Sequence, residues 1–115
     1  MKTYIFRTTA TMKEYNCKKW WIDPNIVGEV RIDAENVRKA LKKFQTIVSE
    51  KFYLSISDNA LKNKNPMFVD TENGEPKQVG YVITGKYDFQ DDFYRWSEQY
   101  IDLWVTIITI VDTEF

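Results

Sequence analysis

Histidine is absent from the chain, and cysteine occurs once, at Cys17. The first absence removes the commonest general base, and with it the Ser-His-Asp and Cys-His arrangements and zinc sites built on imidazole. The second removes internal disulfides and cysteine clusters. Glycine stands only at positions 28, 74, 80 and 85, too sparse for a Gly-rich phosphate loop, and neither G-x-x-x-x-G-K-[S/T] nor G-x-G-x-x-G occurs. Glycine and the three prolines are too few for a linker or a disordered chain. Long hydrophobic runs are also missing. The apolar stretch 101–111 is too short to span a bilayer and holds Asp102 near its start. The opening residues MKTYIFRTTATMK are interrupted by Arg7 and threonines, unlike a secretory leader. A soluble, cytoplasmic protein with no membrane partner, no bound metal and no cofactor is the expectation, and no catalytic constellation is visible.

Aromatics are plentiful: they make up 16% of the 115 residues, which suits one compact domain over 1–115. Charge is divided along the chain. Residues 1–65 carry 13 Lys and Arg against 7 Asp and Glu, a balance of +6. Residues 66–115 carry 3 against 10, a balance of −7. Such a split points either to a polyanion partner for the basic half or to two halves that neutralise each other on folding.

Residues 2–13 alternate, with Tyr4, Phe6, Ala10 and Met12 on one face and threonines on the other, the pattern of a half-buried strand. Asp23-Pro24-Asn25 marks a turn, followed by a short strand at 27–32. Asp33 is a competent N-cap. Beyond it Val37, Leu41, Phe44 and Val48 form one helical stripe, widened by Ala40 and Ile47, which predicts a helix over about 34–50. Residues 52–56 alternate as a strand, Ser57 or Asp58 caps one helical turn, and 67–69 is a short strand candidate. Asn73-Gly74 is a strong turn dipeptide. Residues 79–89 follow as a strand with Gly85 as a candidate bulge. Residues 90–99 read as a polar, aromatic connection. The last strand, 100–111, is apolar on both faces, which suits a central or covered strand.

The expected fold is therefore α+β and two-layered. Strands at about 2–13, 79–89 and 100–111, with shorter ones, form a mainly antiparallel sheet, and the helix over about 34–50 lies on one face. An edge position for the final strand would invite a homodimer by edge-strand pairing.

Two surfaces stand out as candidate sites. Phe93, Tyr94, Trp96 and Tyr100, with Asp91 and Asp92, crowd one connection, and aromatic surfaces of this kind dominate protein interfaces. They suggest a small non-enzymatic protein-binding module of the adaptor or inhibitor type; the alternative is rings that fold back onto the sheet. The other surface is basic. Arg38 and Lys42, and Lys39 and Lys43, are like charges four apart, which costs an isolated helix about 0.2–0.5 kcal/mol per pair. Glu35 offsets this in part. Lys18, Lys19, Lys62 and Lys64 extend the ridge, and Trp20 or Trp21 offers a stacking surface, the makings of a nucleic-acid-binding domain. The carboxylates Asp88, Asp91, Asp92, Glu98 and Asp102 match no EF-hand spacing and read as a solvated acidic loop, although Mg²⁺ needs only one or two of them. Cys17, beside Lys18 and Lys19, lacks an oriented base and reads as a small structural residue.

Overall fold

The computed structural model describes residues 1–12, 25–90 and 96–110. Its elements in chain order are β1 (Lys2–Met12), β2 (Gly28–Ala34), α1 (Val37–Phe52), β3 (Leu54–Ser55), α2 (Asp58–Lys62), β4 (Asn65–Asp70), β5 (Pro76–Gln90) and β6 (Trp96–Ile110). All strand pairings are antiparallel, in one sheet of order β2-β1-β6-β5-β3, with β4 also pairing β5. The final strand is therefore central rather than at the sheet edge, flanked by β1 over 101–110 and by β5 over 96–106.

Register explains which side chains meet. Phe6 lies opposite Val30 on one side and Ile107 on the other, and Ala10 opposite Leu103, which in turn faces Ile83. This parity gathers Tyr4, Phe6, Ile32, Ile83, Ile101, Leu103 and Val105 into the buried cluster. Ala40, Leu41, Phe44 and Val48 of α1 belong to the same cluster, four of the stripe positions read from the sequence. At about 3.3 Å per residue the 15-residue strands β5 and β6 would each run about 50 Å if straight.

The helix starts later than the sequence suggests. Asn36, not Asp33, is its N-cap, with its side chain accepting from the Lys39 N–H at 2.9 Å. Asp33 is still in β2 and accepts from Thr3 Oγ1 at 2.6 Å, a contact between residues thirty apart. The helix also runs on through Phe52 and closes on Tyr53 in the left-handed region, so the strand expected at 52–56 shrinks to β3. Ser57 caps α2, accepting from the Ala60 N–H.

The bulge lies elsewhere than expected. The β5–β6 register is continuous through Gly85, which makes room instead: an added Cβ there would lie 2.6 Å from Leu54 Cδ2. The irregularity falls where Met67 pairs Gly80 and Phe68 pairs Gln78, leaving Val79 as the extra residue. Gly80 is also where the sheet divides. From Gly80 onward β5 pairs β6, whereas 76–79 fall outside the β6 ladder, and 76–78 pair β4 in a hairpin arm. Thr71 and Gly74 close its turn, with the Gly74 N–H donating to the Thr71 carbonyl and Gly74 at φ 77°.

Candidate functional site

Two surfaces built from described residues carry chemistry. The first is the outward face of β6. Tyr100, Trp104 and Ile108 are 54%, 42% and 36% exposed. They share the even-numbered face of the strand, opposite to the buried Ile101, Leu103 and Val105, and register sets Ile5 opposite Ile108 and Val82 opposite Trp104. The sequence marked this side of the strand as apolar; the structure leaves Trp104 and Ile108 exposed and Ile110 half-buried.

The Trp104 indole N–H donates to Thr11 Oγ1 at 2.8 Å, which fixes the ring against β1. On the same side Arg31 lies opposite Ile5, and Lys86 Nζ sits 5.9 Å from the Tyr100 ring centroid. Arg7 pairs Glu29 at 3.2 Å, and Asp102 accepts from Thr84 Oγ1 at 3.2 Å. The face thus offers aromatic surface with most of its nearby polar atoms already satisfied.

The second surface is a cleft of about 620 Å³ where α1, α2 and β5 converge. Leu41 and Leu61, both buried, and the half-buried Val37 and Tyr81 form its apolar part. Arg38 and Lys42 project from α1, Lys62 from α2, and Lys64 from the segment before β4. Lys64 Nζ sits 5.1 Å from the Tyr81 ring centroid and donates to the Leu61 carbonyl at 3.3 Å. Asp58 is the one anion in the lining, and it accepts from Lys42 Nζ and Gln45 Nε2, each at 3.0 Å. The hydrogen bond from Gln45, then that from Lys42 and its charge, hold the Asp58 carboxyl below its ordinary pKa.

The four helix cations suggested by the sequence are thereby separated. Arg38 and Lys42 reach the cleft with Lys62 and Lys64, whereas Lys39 pairs with Glu35 and Lys43 donates to the Asp33 carbonyl at 2.6 Å. Neighbouring helical residues point about 100° apart, so the two like-charged pairs occupy different flanks. Leu61 and Tyr81 were not singled out by sequence reasoning, because their place in the cleft depends on packing between distant elements.

Asp91, Asp92, Phe93 and Tyr94 lie outside the described residues, as do Cys17, Lys18, Lys19, Trp20 and Trp21. Trp96 opens β6 opposite Gln90, and 96–99 are strand rather than connection; the Trp96 side chain is outside those described. Asp88 and Glu98 are register partners. No group of three metal-ligating side chains occurs among the described residues, and no described helix is long and apolar enough to cross a membrane. No family model, curated protein or solved structure matches the chain.

Proposed function

We propose that the protein is a small non-enzymatic binding module that docks another protein against the outward face of β6. One observation carries the reading: Trp104 is exposed on a central strand while its only polar atom is already bonded to Thr11. A partner can cover that ring without stranding the indole N–H, so burial gains apolar area and avoids the about 1–3 kcal/mol cost of an unsatisfied donor. Tyr100 and Ile108 continue the strip at four-residue steps, over about 27 Å of strand. An antiparallel sheet with a solvated face ordinarily carries polar residues there. Large apolar side chains in their place mark a surface meant to be covered.

The partner suited to this strip is an apolar protein surface, with room at its rim for acidic groups facing Arg31 and Lys86. The lack of histidine and the single cysteine favour binding over catalysis. The test compares wild type with Trp104→Ala and Tyr100→Ala in affinity capture. A protein retained by wild type is then purified and its affinity for each variant measured. The expected loss is about 2 kcal/mol or more for an anchor of this kind, with unchanged far-UV circular dichroism. Equal affinity for wild type and both folded variants would overturn the reading.

A further inference from the structure

We propose that the cleft between α1, α2 and β5 binds a nucleotide unit, a planar base carrying phosphate, either free or as part of a single strand. The cleft shares no residue with the outward face of β6.

The cleft combines two features that a solvated basic helix lacks. It is concave and of about 620 Å³, within the about 300–1,000 Å³ typical of small-ligand sites. Its buried part is hydrocarbon, from Leu41 and Leu61, with Tyr81 at the side. A bare inorganic anion makes no use of such a surface; a ligand with a flat apolar body does.

The rim supplies the charge. Four cations stand against one carboxylate, an excess of three positive charges. Asp58 is committed to Lys42, whereas Arg38 and Lys62 carry no ion pair among the described residues. Cations left unpaired around a low-dielectric concavity focus field on an incoming anion. Arg38 adds the planar fork that matches two phosphate oxygens at once. Lys64 is held over Tyr81 and bonded to the Leu61 carbonyl, so its ammonium is positioned before any ligand arrives. Duplex nucleic acid hides its base faces in the stack, which leaves the apolar part of this cleft unused.

The experiment titrates the full chain at 50 mM salt with AMP, with an eight-nucleotide oligothymidylate and with inorganic phosphate. Arg38→Ala and Lys62→Ala serve as cleft variants and Lys39→Ala as the control, since Lys39 is paired with Glu35 outside the lining. AMP or the oligonucleotide is expected to bind, and each cleft variant to weaken binding about tenfold. Lys39→Ala is expected to leave binding unchanged.

The two sources separate in the salt dependence. A strand gives a slope of about −0.7 in log K per phosphate engaged, with several phosphates counted. A free-nucleotide site binds AMP as tightly as the oligomer. Absence of binding by both at millimolar concentration would overturn the proposal. So would inorganic phosphate binding as tightly as AMP, or folded Arg38→Ala and Lys62→Ala variants binding like wild type.

Discussion

Phe6 of β1 and Phe44 of α1 meet with ring centroids 5.0 Å apart and planes tilted by 47°, and neither has any exposed surface. This contact ties a helix, whose backbone hydrogen bonds are all local, to a strand that pairs β6 at the other end of the sequence as well as the nearby β2. Truncating either ring removes buried area and leaves a cavity. Phe44→Ala is expected to cost about 3–5 kcal/mol, a large share of the about 5–15 kcal/mol available to a domain of this size. Phe6→Leu and Phe44→Leu, with the double variant, provide a milder series for urea unfolding. A coupling energy of about 0.5–1.5 kcal/mol is expected for the ring pair. Strict additivity would show that the two rings only fill space independently.

Gly80 is the second sensitive point. A Cβ added there would lie 1.7 Å from the Val105 carbonyl oxygen and 2.8 Å from its carbon. Both are backbone atoms of the central strand and cannot rotate away. Gly80→Ala must therefore push β5 off β6 at the place where the sheet divides. The expected cost exceeds the about 1–3 kcal/mol of ordinary overpacking. Gly85→Ala, whose one close contact is with the end of the Leu54 side chain, should cost less. Denaturant midpoints for the two variants in the same buffer test the order; Gly85→Ala as the more damaging change would refute it.

The difference between local and distant causes also explains what the sequence made legible. The stripe of Leu41, Phe44 and Val48 was readable because helical periodicity is a property of consecutive residues. The three long strands were readable for the same reason, with ends displaced by a few residues. The helix start was not. Asp33 and Asn36 are both good caps, and the choice was settled by Thr3, which engages Asp33 across the β1–β2 pair. The hairpin arm beyond Gly80 depends on which strand β5 abandons, and composition does not record that. The cleft shows both kinds of cause. Its cations were visible as like charges four apart and as Lys62 and Lys64, but their convergence on Leu61 and Tyr81 required α2 to pack against β5. The division of labour between Arg38 and Lys39 was half visible, since Glu35 lies one turn before Lys39, while the Asp33 carbonyl that holds Lys43 is a backbone atom with no sequence signal.

Thr8 points to a stabilising change. Its hydroxyl oxygen is buried with no hydrogen-bond partner among the described residues, beside Val105 of β6. Its place on the β1 face between Phe6 and Ala10 suits a hydrocarbon better than an alcohol. Thr8→Val keeps the branched shape and the strand preference while removing the unsatisfied oxygen. The expected gain is about 1 kcal/mol, or a rise in Tm of about 4 °C for a chain of this length. Calorimetry is the direct measurement, and a fall in Tm would mean that the hydroxyl has a partner in solution.

Asp58 gives the acid limb of stability a defined contributor. Its carboxyl is held below its ordinary pKa by the Gln45 and Lys42 side chains, so the unfolded chain takes up this proton more readily than the folded one. The stabilisation is therefore complete above the unfolded carboxyl's pKa and declines as pH falls through the lower folded value. Asp58→Asn removes the titrating group while leaving an acceptor for Gln45. Wild type should exceed Asp58→Asn in urea midpoint at neutral pH, and the gap should close in acid below the folded pKa. Raising salt at neutral pH should narrow the same gap, because the pair with Lys42 is exposed to solvent. A gap that persists undiminished in acid would assign the effect to the shape of the side chain and not to its charge. The same variant bears on the cleft: with Asp58 neutralised, Lys42 is freed, and the affinity for AMP should rise if the rim cations act on phosphate as a group.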